Sequence, residues 1–303
     1  VSVLNNFDAI LVGSQVTPNT LSIIDSSDIV QFKAYCDDET GLSEMTLEGS
    51  SARIDLSKKI LLSPGQIAGS QLFLYVHPLH RPYYLGNAMM ITEPSTLFIV
   101  HNPLKKDKMT NIYNLFPENI SIEESGIFKK EYSSFHKVIV ISDQEAPDLK
   151  APTEKTYGEK SLIDAAVNWI QVQFAGDGTP INAKMWTKEQ KDNAFPGSPD
   201  AIVSFPTEEF IMLYAFSPDS GYYQCTLDKI NKKMQIITQI YHERVKELQS
   251  NVNNANCVLK YTEAESTLQN IIDASRPYTE NGEVDKLERI NKGLLLASCP
   301  LIY

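Results

Sequence analysis

The sequence predicts an α+β fold: an antiparallel, sandwich-like β half at the N-terminus, a mixed segment, and a C-terminal group of about three helices. Three observations lead there. Up to about residue 150 the apolar residues fall in short runs cut by turn residues, at the roughly 8–12-residue spacing of antiparallel sandwiches and barrels. From about residue 226 onward they recur at helical spacing. Between these, Gln144–Thr156 carries Pro147, Pro152 and several charges, the composition of a domain boundary. Residues 1–150 are therefore expected to form a β-rich domain and residues 151–303 an α+β domain, since 303 residues exceed one small core.

The elements follow in chain order. Asp8–Val12 is a short apolar run ended by Gly13, and reads as a strand. In Ile29–Tyr35, Val30, Phe32 and Ala34 alternate with Gln31 and Lys33, the period-2 pattern of a half-buried strand. Asp37–Gly41 follows as a polar turn; its consecutive acids lack the alternate spacing of a calcium loop. Met45–Leu47 and Ala52–Leu56 predict further short strands, and Leu61–Ser63 runs into the Pro64-Gly65 turn. Gln71–Val76 is apolar on both faces, which predicts a central strand. Ser95–His101 and Phe135–Ile141 are two more strands.

Beyond the boundary, Leu162, Ala165, Ala166, Trp169 and Ile170 predict an amphipathic helix over Ser161–Phe174, stopped by Gly176-Asp177-Gly178. Ala201–Phe205 and Glu209–Phe216 read as a β pair, and Gly221–Cys225 as another strand. A long helix over Asp228–Leu248, N-capped by Asp228, carries the stripe Ile230, Met234, Ile237, Tyr241, Val245 and Leu248, widened by Ile236 and Ile240. Thr262-x-x-Glu265 is a capping box opening a second helix, which Arg276-Pro277 stops. Glu283–Ala297 is the third.

Composition narrows the function classes. A net charge of −11 argues against a general nucleic-acid binder, which needs surplus Lys and Arg. No apolar stretch approaches the length of a membrane span. The first residues show no basic segment followed by an apolar one, so no signal peptide is expected within them; one already removed would leave the same picture. Cys36, Cys225, Cys257 and Cys299 lack any C-x₂-C spacing and are sparse, which reads as buried small apolar residues in a reducing, cytoplasmic setting. There is no nucleophile elbow, phosphate loop, dinucleotide fingerprint or zinc-protease motif, and no cofactor is expected.

The reading that follows is a non-catalytic structural or assembly protein, acting through self-association or a protein partner. Its interaction candidates are Ile237, Tyr241 and Val245 on the long helix and the pairs Tyr83-Tyr84 and Tyr222-Tyr223. Lys229, Lys232 and Lys233 in the first turns of that helix oppose its dipole and call for acids on a partner or on this chain. An alternative is a hydrolase at the interdomain cleft near His77, His80 and Asp143. The two histidines are also the metal candidates, although Pro78 and Pro82 give an extended backbone that does not align them. The sequence names no third ligand; His101, at the end of the next expected strand, is the one histidine that the strand order could bring near. Asp143 gains weight if the sheet is parallel there, because residues just past a strand end line clefts. A second alternative is a glycan- or ligand-binding module using the tyrosine pairs.

Overall fold

The computed structural model describes residues 9–13, 17–36, 43–48, 53–125, 135–145, 166–176, 180–188, 198–205, 207–278 and 281–303. The Asp37–Gly41 turn, Asp177-Gly178 and most of the Gln144–Thr156 boundary lie outside them. Residues 9–13 form a helical turn, in place of the expected strand.

Two six-stranded mixed sheets and a C-terminal helical group make up the fold, with the sheets in the N-terminal part as expected. The first sheet has the order β3-β2-β1-β5-β6-β4, with β1 Thr20–Cys36, β2 Ser43–Leu47, β3 Arg53–Asp55, β4 Ile60–Leu62, β5 Ile67–His80 and β6 Tyr84–Thr92. Most of its pairs are antiparallel, while β4 runs parallel to β6. The period-2 signals hold well here. Phe32 and Ala34 are buried while Gln31, Lys33 and Tyr35 are exposed. Leu72, Leu74 and Val76 bury against Phe32, Met45, Met89 and Ile91. β5 is central, flanked by β1 and β6. Each such fully buried aliphatic side chain contributes about 1.5–3 kcal/mol.

The second sheet has the order β12-β11-β10-β9-β7-β8. Its strands are β7 Thr96–His101, β8 Ile122–Ser125, β9 Lys137–Ser142, β10 Ala166–Phe174, β11 Pro180–Lys188 and β12 Ala201–Ser204. Here the expected antiparallel pattern is corrected: β8, β7, β9 and β10 are all parallel, and only β10-β11-β12 continue antiparallel. The physical reason is visible in Val138–Ile141. A parallel strand covered on both faces reads as an unbroken apolar run, and all four residues are 0% exposed. A short helix, α1 (Asp107–Tyr113), makes the crossover from β7 to β8. One face of this sheet builds a core from Leu97, Ile99, Val138, Val140, Val167, Trp169 and Trp186. On the other, Phe98 lies 5.4 Å from Phe116 and 4.7 Å from Phe216, ring to ring. Strands from either side of residue 150 pair directly, β9 with β10.

Three segments change type. Residues 166–174 form a strand, not the end of a helix; Val167, Trp169, Ile170 and Val172 are all buried, and their β-branched and aromatic content outweighs the helical spacing. Glu209–Ala215 forms a helix (α2), not a strand, because an all-apolar run carries no period to decide the matter and Phe210–Phe216 is buried throughout. Gly221–Cys225 is the first part of a 32-residue helix, α3 (Ser220–Asn251). The Tyr222 N–H donates to the Asp219 carboxylate at 2.8 Å, so Asp219 takes the capping role expected of Asp228. Lys229, Lys232 and Lys233 then fall well inside the helix, and the dipole argument for them lapses.

The chain divides into two compact units, Val1–His77 with Ala88–Cys225, and Pro78–Asn87 with Thr226–Tyr303. In the second, α4 (Ala255–Asp273) packs against α5 (Asn281–Leu296), and α3 is hydrogen-bonded to α4. Gln235 donates to the carbonyls of Ile272 and Ala274, and Gln249 to Thr262, so α3 and α4 run antiparallel. α4 is capped by Asn254, whose side chain accepts from the Asn256 N–H, rather than by the Thr262 box. The tip of the β5–β6 hairpin inserts Tyr83, whose ring lies 4.8 Å from Tyr241 and 5.6 Å from Tyr303.

The cysteines are corrected as well. Cys36 pairs with Cys225 and Cys257 with Cys299 as disulfides, and no free thiol is found among the described residues. Sequence separations of 189 and 42 are too long for any spacing motif to reveal.

Candidate functional site

The carboxyl ends of β8, β7, β9 and β10 lie in one row, with His101 in register with Ser125 on one side and Ser142 on the other, and Gln171 beyond Ser142. After β7 the chain turns through α1 to β8; the strand after β9 is β10, on the opposite flank. The junction of β7 and β9 is therefore a switch point of the described strands, and it is outside the carboxyl ends of the strands at such a point that open parallel sheets usually have a ligand crevice. Lys106 and Lys108 come from the β7 side of that crevice and Asp143 from the β9 side.

The turn after β7 is tightly determined. Asn102, buried, donates from its side chain to the Lys106 carbonyl at 3.0 Å and accepts the Lys106 N–H at 2.7 Å. The same amide donates to Glu124 at 2.7 Å, and the Thr110 hydroxyl donates to that carboxylate at 2.7 Å. Lys105 takes the left-handed conformation, φ 50°, to close the turn. This bracket places the Lys106 ammonium 2.5 Å from Asp143 Oδ2, with Lys108 Nζ 4.0 Å from the same oxygen. Lys108 Nζ also stands 3.9 Å over the Phe174 ring. Asp143 is 9% exposed, whereas the lysines are 38% and 32% exposed. His101 lies 5.8 Å from Trp169, ring to ring. Burial pushes its imidazole below the usual histidine range, opposed by a hydrogen bond to the Ser125 backbone and by the charge of Asp143; the ring is neutral at pH 7. No group of three or more metal-ligating side chains occurs among the described residues.

The other expected site residues are distributed. His77 and His80 sit three apart on β5 and so point to opposite faces. His77 Nε2 is 3.7 Å from Glu209, and the His80 ring is 5.1 Å from Tyr84. Asp143 forms its ion pairs with Lys106 and Lys108. His101, the histidine near Asp143, is the one that the parallel ladder selects.

Tyr83 is buried, its hydroxyl bonded to Thr238, and burial raises its phenol well above the ordinary range. Tyr223 is buried too, while Tyr84 is about half exposed. The Tyr222 hydroxyl donates to the Leu61 carbonyl at 2.6 Å; the residue lines a cavity of about 300 Å³ with Lys33, Tyr35, Gln66 and Asp219, beside the Cys36–Cys225 disulfide. Val245 is fully buried, and Tyr241 and Ile237 partly so. By contrast Ile236 and Ile240 are 60% and 63% exposed, and Leu259, Leu295 and Leu296 of the same unit more so. Among the described residues, no helix is long and apolar enough to cross a membrane. Comparison of the chain with protein-family models, with curated proteins and with solved structures finds no match.

Proposed function

We propose that the chain is a non-catalytic structural or assembly protein whose helical unit engages a second copy or another protein. One observation carries this reading: α3 is apolar on two opposite sides. At about 100° per residue, Ile240 lies about 200° round the helix from Thr238. Met234, Thr238 and Val245 face inward and are buried, while Ile236 and Ile240 face away from them and are exposed. A helix with apolar residues on both sides is covered on both when it works. The two disulfides support an oxidising compartment, since such bonds persist where thiols are not kept reduced.

The test is native molar mass by size exclusion with light scattering. Wild type is expected to exceed the 34.0 kDa chain mass in a concentration-dependent way. The double change Ile236→Glu, Ile240→Glu returns it to monomer with stability altered by about 0.5 kcal/mol or less. Val245→Asp is the contrasting control. It buries an unpaired charge and costs about 3–5 kcal/mol of stability in either state. A wild-type monomer at every concentration, combined with no partner contact at Ile236 or Ile240 by cross-linking in a source extract, refutes the reading.

A further inference from the structure

We infer that the carboxyl edge between β7 and β9 binds a small oxyanionic ligand, through a phosphate or carboxylate group, with Lys106 and Lys108 as the binding groups and Asp143 as their positioning residue. Three independent features of the site support this. The first is place: the strand that follows β7 is β8, on one flank, and the strand that follows β9 is β10, on the other, so among the described strands the junction of β7 and β9 is a switch point. The second is preorganisation. Asn102 is bonded to both backbone groups of Lys106, and Glu124 and Thr110 hold Asn102 in turn, so the lysine is delivered to the crevice by a rigid turn.

The third is the arrangement of charge. Two ammonium groups share one carboxylate, which leaves one positive charge in surplus at the triad. The carboxylate is the inner, nearly buried member and the ammoniums are the outer ones. A lysine ammonium has three N–H donors. Asp143 accepts from Lys106, and Lys108 Nζ is paired with the same oxygen and stands over the Phe174 ring; both lysine side chains keep about a third of their surface exposed, where one oxyanion can bridge them. A salt bridge that served stability alone would gain little from such exposure. A cation is disfavoured by the lysines themselves. Glu124 Oε1 accepts from Asn102 and Thr110.

The experiment is calorimetric titration of the full chain with inorganic phosphate and, separately, with malonate, at low ionic strength. Saturable one-to-one binding of at least one probe is expected, and the preferred probe tells phosphate chemistry from carboxylate chemistry. Lys106→Gln and Lys108→Gln each weaken that binding by about tenfold or more, the worth of one charge-assisted hydrogen bond. Lys58→Gln makes the same change of net charge at an exposed turn of the first sheet and leaves binding within about twofold. Lys108→Arg retains binding, and because Asp143 keeps Lys106 in that variant and in Lys108→Gln, both fold as wild type by circular dichroism. Two results overturn the inference: no saturable heat with either probe, or an equal loss in Lys58→Gln, which would mean that only overall charge is being sensed.

Discussion

Opening the Cys257–Cys299 bridge tests the helical unit most directly. The bond closes a loop with a sequence separation of 42 and ties the start of α4 to the segment after α5. In the chain-entropy model a 15-residue loop is worth about 3 kcal/mol and a 100-residue loop about 4.7, so this one contributes about 4 kcal/mol by restricting the unfolded chain. Cys36–Cys225, with a separation of 189, contributes about 5 on the same scale. Against a total of about 5–15 kcal/mol either loss is large. The perturbation is Cys257→Ala with Cys299→Ala, which keeps both buried positions apolar. In urea, with a slope of about 2 kcal/mol per molar, the unfolding midpoint should fall by about 2 M. Thiol titration of the unreduced wild type should find no reactive cysteine until a reductant is added. Coincident urea midpoints for wild type and variant, or four reactive thiols in the untreated protein, would refute the pairing and the inference of an oxidising compartment with it.

Two further outcomes are expected. Tyr83→Phe removes a buried hydroxyl but leaves Thr238 donating to the Met234 carbonyl at 2.7 Å, so it should cost about 1 kcal/mol, while Tyr83→Ala, losing the contacts with Tyr241 and Tyr303, should cost about 3–5 kcal/mol; equal urea midpoints for the two variants would show that the rings are not packed as described. His101 has a folded pKa below its unfolded value, so stability is intact above about pH 6.5 and is lost as pH falls from there through the lower folded value; His101→Asn should flatten that acid limb, and an unchanged limb in urea titrations at stepped pH would refute the burial argument.

What could be read from the chain depended on how far each side chain's neighbours were encoded nearby. β1 and β5 were legible because alternation along a strand is a local property, and Phe32, Ala34, Leu72 and Leu74 bury as their spacing requires. α5 was legible in position for the same reason, and so was the end of α4, whose start lies at Ala255 and not at the expected Thr262. The failures share a cause. Val138–Ile141 and Phe210–Phe216 are both continuous apolar runs, one a parallel strand and one a helix, and only their partners decide which. Residues 166–174 satisfied a helical spacing on paper, yet pair with β9 and β11 on both sides. The disulfides and the Lys106–Asp143 pair join residues far apart in the chain, and no local pattern contains them. Asp143 was nonetheless identifiable as a conditional candidate: its weight rested on the sheet being parallel at that point, and the ladder is parallel there.

The two proposed activities draw on disjoint sets of residues, Ile236 and Ile240 for association, Lys106, Lys108 and Asp143 for the oxyanion. Changes at sites that share no partner add without coupling. Phosphate affinity should therefore be the same in the Ile236→Glu, Ile240→Glu variant as in wild type, and association should be unaffected by Lys108→Gln. A departure would be informative in a particular way. If phosphate shifts the association equilibrium, association must shift phosphate affinity by the same factor, because coupling free energy is reciprocal. Measuring both directions separates a true linkage, in which the two factors agree, from a salt effect of the added anion, which a sulfate-free chloride control at equal ionic strength would reproduce in one direction only.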